Sequence, residues 1–387
     1  MTETTKPDKQ TIRSYPRLHY ADIDSHGVLI VPSPYLDQYL TYHNAMHEKD
    51  YESAYSLASR FISNYQSIPP VEGGSYGYWM SELARISRKS KNFHKAKESY
   101  SQAAAYYQSV IENFIDFAPI LCQSLASEVR HLQFLAEHAN DGCWDGGKVE
   151  SISGHVDTSE IELQSSYFSA GSHSKYEVAS IKYLEDQGYD VDYAENGLWS
   201  FLYTLLIQDD FLEPFFDKSN HPYLPETIAD SQLYAYPLVI EDKLRKINEG
   251  DLFNTVLKKW EKLKPFLRTA NIQGVTCYFL GSLSSPTHMS YAVSHNPSDY
   301  LNSQGTKNFL QKLDPATLRN ILVHRLLQTS PHKTGLPDLI VSKNNQAGLV
   351  EVKRKGERLR DSQVAWMMYF SANCSPVKIL VAKKCRA

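Results

Sequence analysis

Apolar residues recur at helical spacing from Pro34 to about Ala139, again from about Ser174 to Gln208, and once more from Leu233 to Leu267. Toward the C-terminus the period changes. Residues 339–350, LIVSKNNQAGLV, hold two apolar bursts around the polar turn Lys343-Asn344-Asn345-Gln346, the pattern of a β-hairpin. Upstream, Asp314-Pro315 opens a helix, with Asp as N-cap and Pro in the first position. Leu318, Ile321, Leu322 and Leu326 form its apolar face. Downstream, Asp361 or Ser362 caps the helix QVAWMMYFSA, and PVKILVA makes a last strand. Helix, strand, strand, helix, strand is a minimal α/β core, expected over residues 301–387.

The earlier chain divides on pattern. Residues 1–33 carry three prolines and polar flanks and are expected to be irregular. Residues 34–165 are expected to form one helical region and 166–300 a second. Within the first, KDYESAYSLASRF resembles KNFHKAKESYSQA, with Tyr51 and Phe93, and likewise Ala54 and Ala96, 42 residues apart. An aromatic followed three residues later by alanine is the packing logic of TPR-like helix pairs, and SIPPVEGGS supplies the extra length as a loop. A plain helical bundle is the alternative. Residues 140–160, rich in Gly, Asp and Ser, read as a linker or exposed loop.

Composition excludes some classes. No apolar run approaches the ~18 residues of a membrane span. The polar start MTETTKPDKQ lacks the apolar stretch of a secretion signal. Five cysteines without CxxC spacing fit free thiols in a reducing compartment and argue against a zinc site. An intracellular protein is expected, cytoplasmic in a bacterium or phage and nuclear in a eukaryote. The net charge of −4 hides a split. Residues 301–387 carry fifteen Lys and Arg against five Asp and Glu, and the remainder carries 25 against 39. A +10 end points to a polyanion, and a merely solvated basic face is the alternative.

The candidate chemistry lies in the hairpin. Asp338 heads its first strand, and Glu351 and Lys353, two residues apart, share one face of the second. Val350 and Val352 mark the other face as buried. An Asp after Pro and a Glu-x-Lys pair are each common alone. Together they form the layout of metal-dependent phosphodiesterases, in which carboxylates hold Mg²⁺ or Mn²⁺ and lysine orients or activates the attacking water. Arg354, Lys355, Arg358 and Arg360 follow at once, four cations in seven residues suited to backbone phosphates or to a solvated turn.

These residues resemble a known family. GLPDLIV followed by LVEVKRKGERLRDSQVAW is similar to the VRR-NUC branch of the PD-(D/E)xK nucleases, and most closely to the Fanconi-associated nucleases. Arg358, Leu359, Gln363 and Trp366 fall in register. The resemblance reaches upstream through YEVASIKYLEDQGYDVDYAENGLWSFLYTLL, YPLVIEDKLRKI and Trp260. It implies a helical N-terminal region joined to a PD-(D/E)xK α/β nuclease core, cutting flapped or branched DNA or DNA with free 5′ ends during repair. It also implies metal ligation by Glu195, in AENG where the family has Gly-Glu-Gly, and by the Val352 carbonyl. Gln363 would hold a phosphate or a metal-bound water. A Holliday-junction resolvase, acting as a homodimer, and a catalytically inactive nucleic-acid-binding scaffold are the competing readings. A protein partner through the helical repeats is a further expectation. His324 and His332 as phosphate contacts, and Trp199 and Tyr203 as base-stacking residues, are weaker candidates.

The charge split makes a testable statement. Binding to DNA is expected to weaken steeply with salt. Replacing Arg354, Lys355, Arg358 and Arg360 together by Gln should flatten the slope of log affinity against log salt, by up to about one unit for each phosphate left un-neutralised. An unchanged slope in a fluorescence-anisotropy titration would mean that DNA phosphates are held elsewhere.

Overall fold

The computed structural model describes residues 22–23, 29–30, 41–42, 44–65, 76–141, 148–168, 176–208, 237–248, 251–272, 275–280, 297–327 and 335–385. A short antiparallel pairing of Asp22–Ile23 with Leu29–Ile30 falls in the segment expected to be irregular, and four helices follow: α1 (Tyr51–Tyr65), α2 (Tyr76–Lys89), α3 (Phe93–Phe114) and α4 (Pro119–Glu137). Each packs on the next. The 42-residue echo in sequence is also an echo in backbone. Lys49 (φ 63°) and Lys91 (φ 60°) both adopt the left-handed conformation. In each copy the following residue then caps a helix, Asp50 Oδ1 accepting from Ser53 N and Asn92 Oδ1 from Lys95 N.

Helix α4 is apolar or buried around most of its circumference, the mark of a helix covered on several sides. It packs against α3 and also against α7 (Pro237–Asn248), α11 (Pro315–Leu327) and α12 (Asp361–Ala372). The Glu241 carboxylate of α7 accepts hydrogen bonds from Ile120 N and Leu121 N, meeting two otherwise unpaired donors of the first turn of α4. At the other side, Asn373, just past α12, donates to Ser127 O and accepts from Arg130 Nε.

The chain's main sheet has five strands in the order β1–β7–β6–β5–β2. They are β1 (Asp157–Leu163), β2 (Asp190–Tyr193), β5 (Leu339–Lys343), β6 (Gln346–Arg354) and β7 (Val377–Lys384). The β1–β7 and β7–β6 pairs are parallel, and the β6–β5 and β5–β2 pairs antiparallel. Hairpin β5–β6 turns on Asn344-Asn345 with Asn344 left-handed (φ 54°), which asparagine tolerates. Helix α12 crosses from β6 to β7. A separate hairpin joins β3 (Leu267–Ile272) and β4 (Val275–Leu280).

The sheet is covered on both faces. Leu339, Val341, Val350, Val352, Leu380 and Ala382 pack with Ala179 and Leu184 of α5 (Tyr176–Asp186). Ile340, Leu349, Ile379 and Val381 face the larger core shared with α4, α11, α12, α6 (Glu195–Tyr203) and α10 (Gln304–Lys312). Between the last two lie α8 (Leu252–Leu263) and α9 (Pro297–Asn302).

Three sequence expectations change. The linker expected over 140–160 gives way to strand β1 from Asp157. Its polar sequence DTSEIEL hides it, because only Ile161 and Leu163 are buried and its acids pair outward with lysines of β7, Glu162 with Lys383 at 2.7 Å and Asp157 with Lys378 at 3.3 Å. The helical stretch expected over 174–208 is broken by β2, four residues whose strand character comes from pairing with β5 and not from their own apolarity. Helix α12 takes Arg360 as its N-cap instead of Asp361 or Ser362. Among the described residues no helix is long and apolar enough to cross a membrane.

Leu125, fully buried in α4, tests whether this helix carries the junction. Leu125→Ala should cost about 2–5 kcal/mol of unfolding free energy, read by chemical denaturation. A cost near zero would mean that the junction does not depend on packing there.

Candidate active site

Strand register brings the acids together. Leu339 pairs with Val350, so Asp338, one residue before, falls opposite Glu351, one residue after. Alternation then puts Asp338, Glu351 and Lys353 on the sheet face beneath α12. All three are buried, Glu351 completely, with Lys353 at 4% and Asp338 at 8% exposure. Asp338 Oδ2 accepts from Val352 N at 2.9 Å, which locks the carboxylate to the neighbouring strand. Lys353 Nζ lies 2.8 Å from Glu351 Oε1 and 3.7 Å from Glu357 Oε1. Gln363, in the first turn of α12, donates its amide to Glu351 Oε1 and accepts from Arg360 N at 2.9 Å. Glu351 Oε2 is buried without a hydrogen-bond partner.

Two close approaches hold the frame. A Cβ on Gly335 would meet Ser362 C at 2.6 Å and Gln363 N at 2.8 Å, and Gly335 is left-handed (φ 98°). Only glycine lets the strand approach press so closely on the helix start that carries Gln363. Ala194 N donates to Asp338 O at 2.8 Å, so α6 begins, at Glu195, immediately beside the Asp338 backbone. A Cβ on Gly197 would lie 2.1 Å from the Tyr300 hydroxyl, so this glycine sets how closely α6 approaches α9.

Electrostatics follow from burial. Glu351 is raised to about 8, first by burial and then by the Asp338 charge, against the opposing pull of Lys353 and Arg360. Burial pulls the Lys353 ammonium down, but Glu351, Asp338 and Glu357 outweigh it and hold its pKa above the ordinary lysine value. Two converging carboxylates with one buried oxygen unmet suit a hard divalent cation with oxygen ligands. Asp338 and Glu351 are the side chains in place for it. Glu195 is positioned by its backbone, and Val352 shares the strand.

The four cations do not act as one group. Arg360, at the head of α12, is near enough to influence Glu351. Lys355 pairs with Glu160 of β1 at 3.1 Å, the Arg354 guanidinium sits 5.8 Å over the Tyr176 ring, and the Arg358 backbone bridges to that of Lys148. Trp199 and Tyr203 pack in the core, and His324, buried to 4% exposure, is engaged by Glu128 at the edge of a cleft; His332 lies outside the described residues. Sequence reading missed Glu357 as a partner of Lys353, although Gly356, left-handed at φ 86°, marks the turn that folds Glu357 back. It also missed a cleft in which Arg85, Arg88 and Lys89 of α2 line up with Asp361, Val364 and Ala365 of α12. Lys89 Nζ lies 2.5 Å from Asp361 there, while Arg85 is held by Glu82 at 2.6 Å.

The comparisons with known proteins agree with this architecture. Residues 286–383, which include the hairpin and helix α12, match the family model for the VRR-NUC domain. A solved structure of paFAN1 bound to 5′-flap DNA with a two-nucleotide flap and a gap superimposes with a TM-score of 0.51 at 20% identity, over 92% of this chain and 56% of that one. A second, with a one-nucleotide flap, gives 0.49 at 19% identity over 94% and 58%. The chain thus spans a little over half the length of these structures, and the first likeness shows the shared fold. No curated protein matches the sequence.

The raised carboxyl has a sign that can be measured. The unfolded Glu351 titrates near 4.5 and the folded one near 8, so without a cation the folded state keeps a proton that the unfolded state has lost. Its contribution to stability is full below the lower value and disappears as pH rises through the upper one. In EDTA, Glu351→Gln should therefore raise Tm over wild type at about pH 8.5 and leave it unchanged near about pH 4.5. An equal Tm difference at both pH values would refute the assignment.

Proposed function

We propose that this chain is a divalent-metal-dependent, structure-specific DNA nuclease that hydrolyses phosphodiester bonds at flaps or branches. The observation that carries the reading is the buried Asp338–Glu351–Lys353 group on one sheet face beneath Gln363, inside a VRR-NUC domain. Asp338 and Glu351, joined by Glu195 and the Val352 carbonyl, would hold Mg²⁺ or Mn²⁺. Such an ion, when bound, polarises the phosphodiester and acidifies water. The protein's own groups do the rest. Val352 N fixes the Asp338 carboxylate, and Gln363 fixes that of Glu351. The Lys353 ammonium orients water and offsets the charge that grows on the phosphate oxygens. Arg360 adds positive potential where the backbone would approach.

A 5′-flap substrate, with 5′-to-3′ exonuclease action and a role in DNA repair, is the more specific form of the proposal. It is supported by the likeness to paFAN1, whose structure holds 5′-flap DNA. Helix α2 brings Arg85, Arg88 and Lys89 to the same side as the start of α12, so the helical layer takes part in the substrate path.

The test is cleavage of labelled single strand, duplex, 5′ flap, splayed arm and four-way junction with Mg²⁺ or Mn²⁺. Cutting should favour the flap, stop with EDTA, and disappear in Asp338→Ala and Glu351→Ala although both keep wild-type circular dichroism. Lys353→Ala should still bind metal by calorimetry while single-turnover cleavage falls roughly 10²–10³-fold. Full activity of Asp338→Ala would overturn the site, and preference for the four-way junction would favour a resolvase.

A further inference from the structure

A second cluster of ligand-type side chains lies away from the carboxylate pair. Glu128 and His131 stand three residues apart on α4, so one helix face carries both. His324 arrives from α11. The three are buried to 4–5% exposure, and one carboxylate oxygen and one nitrogen from each ring lie within 4.8 Å of one another. His324 Nδ1 meets Glu128 Oε2 at 2.5 Å. His131 Nδ1 stands 3.7 Å from Glu128 Oε1, beyond hydrogen-bond length.

His131 is the unusual member. Both of its ring nitrogens are buried without a hydrogen-bond partner. Buried polar groups are nearly always met, and an imidazole that the protein leaves unmet calls for something else to meet it. The surroundings are rigid: Tyr369 stacks on His324 at 4.0 Å and meets the His131 ring edge-on at 5.3 Å, and Trp366 lies 4.7 Å from His324. On the open side, both histidines line a cleft of about 70 Å³, with room for a bound water as a further ligand.

We propose that Glu128, His131 and His324 form a transition-metal site of the Zn²⁺ class that fastens the helical layer to the nuclease core. Two imidazoles and one carboxylate, with a fourth position open, are a donor set for Zn²⁺ or Co²⁺. Mg²⁺ prefers oxygen ligands and has no reason to enter, so the two sites differ in the metal they select. The cysteine spacing excluded only thiolate sites and is silent on this one. The ion would join α4 to α11 and would sit against α12, the helix that carries Gln363.

The test uses the full chain, stripped with EDTA, dialysed, and titrated with Zn²⁺ or Co²⁺ in excess Mg²⁺, so that the carboxylate site is already filled. The expected result is one equivalent of bound metal, the visible absorption of tetrahedral Co²⁺, and a Tm that rises with Zn²⁺. His131→Gln and Glu128→Gln should each weaken binding by about tenfold or more, whereas Asp338→Asn should leave it intact. Undiminished binding in His131→Gln, or loss in Asp338→Asn, would overturn the site. Should the His131 variant fail to fold, the wild type decides alone: no bound equivalent and no rise in Tm would mean that water satisfies these histidines.

Discussion

Two carboxylates buried face to face are the constraint on which the rest of this structure depends. Asp338 and Glu351 repel, and burial strengthens the repulsion. A sheet can keep such a pair only if other groups hold it there. Register fixes the separation, a strand amide fixes one acid, and Lys353 with Gln363 fixes the other. Gln363 in turn depends on a helix start pressed against Gly335. The sheet's second face, sealed by α5, keeps water out from below. Stability is surrendered at this one point, and the surrounding packing compensates.

The helical layer is part of this support and not an appendage. Helix α4 rests on α11 and α12, has its own first turn capped by Glu241 of α7, and is tied to the end of α12 through Asn373. Helix α2 reaches the start of α12 through Lys89 and Asp361. Both ends of the helix that orients Gln363 are therefore gripped by residues far earlier in the chain. The acidic balance of the first 300 residues conceals this. Averaged over sequence, that part looks unsuited to a polyanion, yet Arg85, Arg88 and Lys89 stand together next to the nuclease core.

The hairpin, the flanking helices and the last strand were legible because they are local: alternation, a two-residue Asn turn and an Asp-Pro helix start each leave a mark within a few residues. Asp338, Glu351 and Lys353 were legible for the same reason, since one turn separates the strands that carry them. Strands β1 and β2 were not. They lie at the sheet's edges, carry acids, and are strands only because β7 and β5 pair with them. The Glu128–His131–His324 cluster was equally invisible, because helix packing joins residues nearly two hundred positions apart. Of the four cations grouped by sequence, the turn after β6 sends Lys355 and Arg354 toward β1 and α5 and leaves Arg360 nearest the acids. Proximity in sequence says little about direction once a chain turns.

The strand order has a consequence for how the molecule comes into being. Strand β1 is made from residues 157–163 and β2 from 190–193, but both await partners made from residues 339–384. During synthesis the helices can pack as they emerge, while the sheet has two edge strands and no middle. Pairings of such long sequence separation are slow to form. The Asp338–Glu351 pair lies in that missing middle, and β7, the last strand, must slot between β1 and β6. Chains cut short before residue 377 would therefore carry most of the protein's mass, yet β1 would have no partner and β6 would stand as an open edge beside the carboxylate pair.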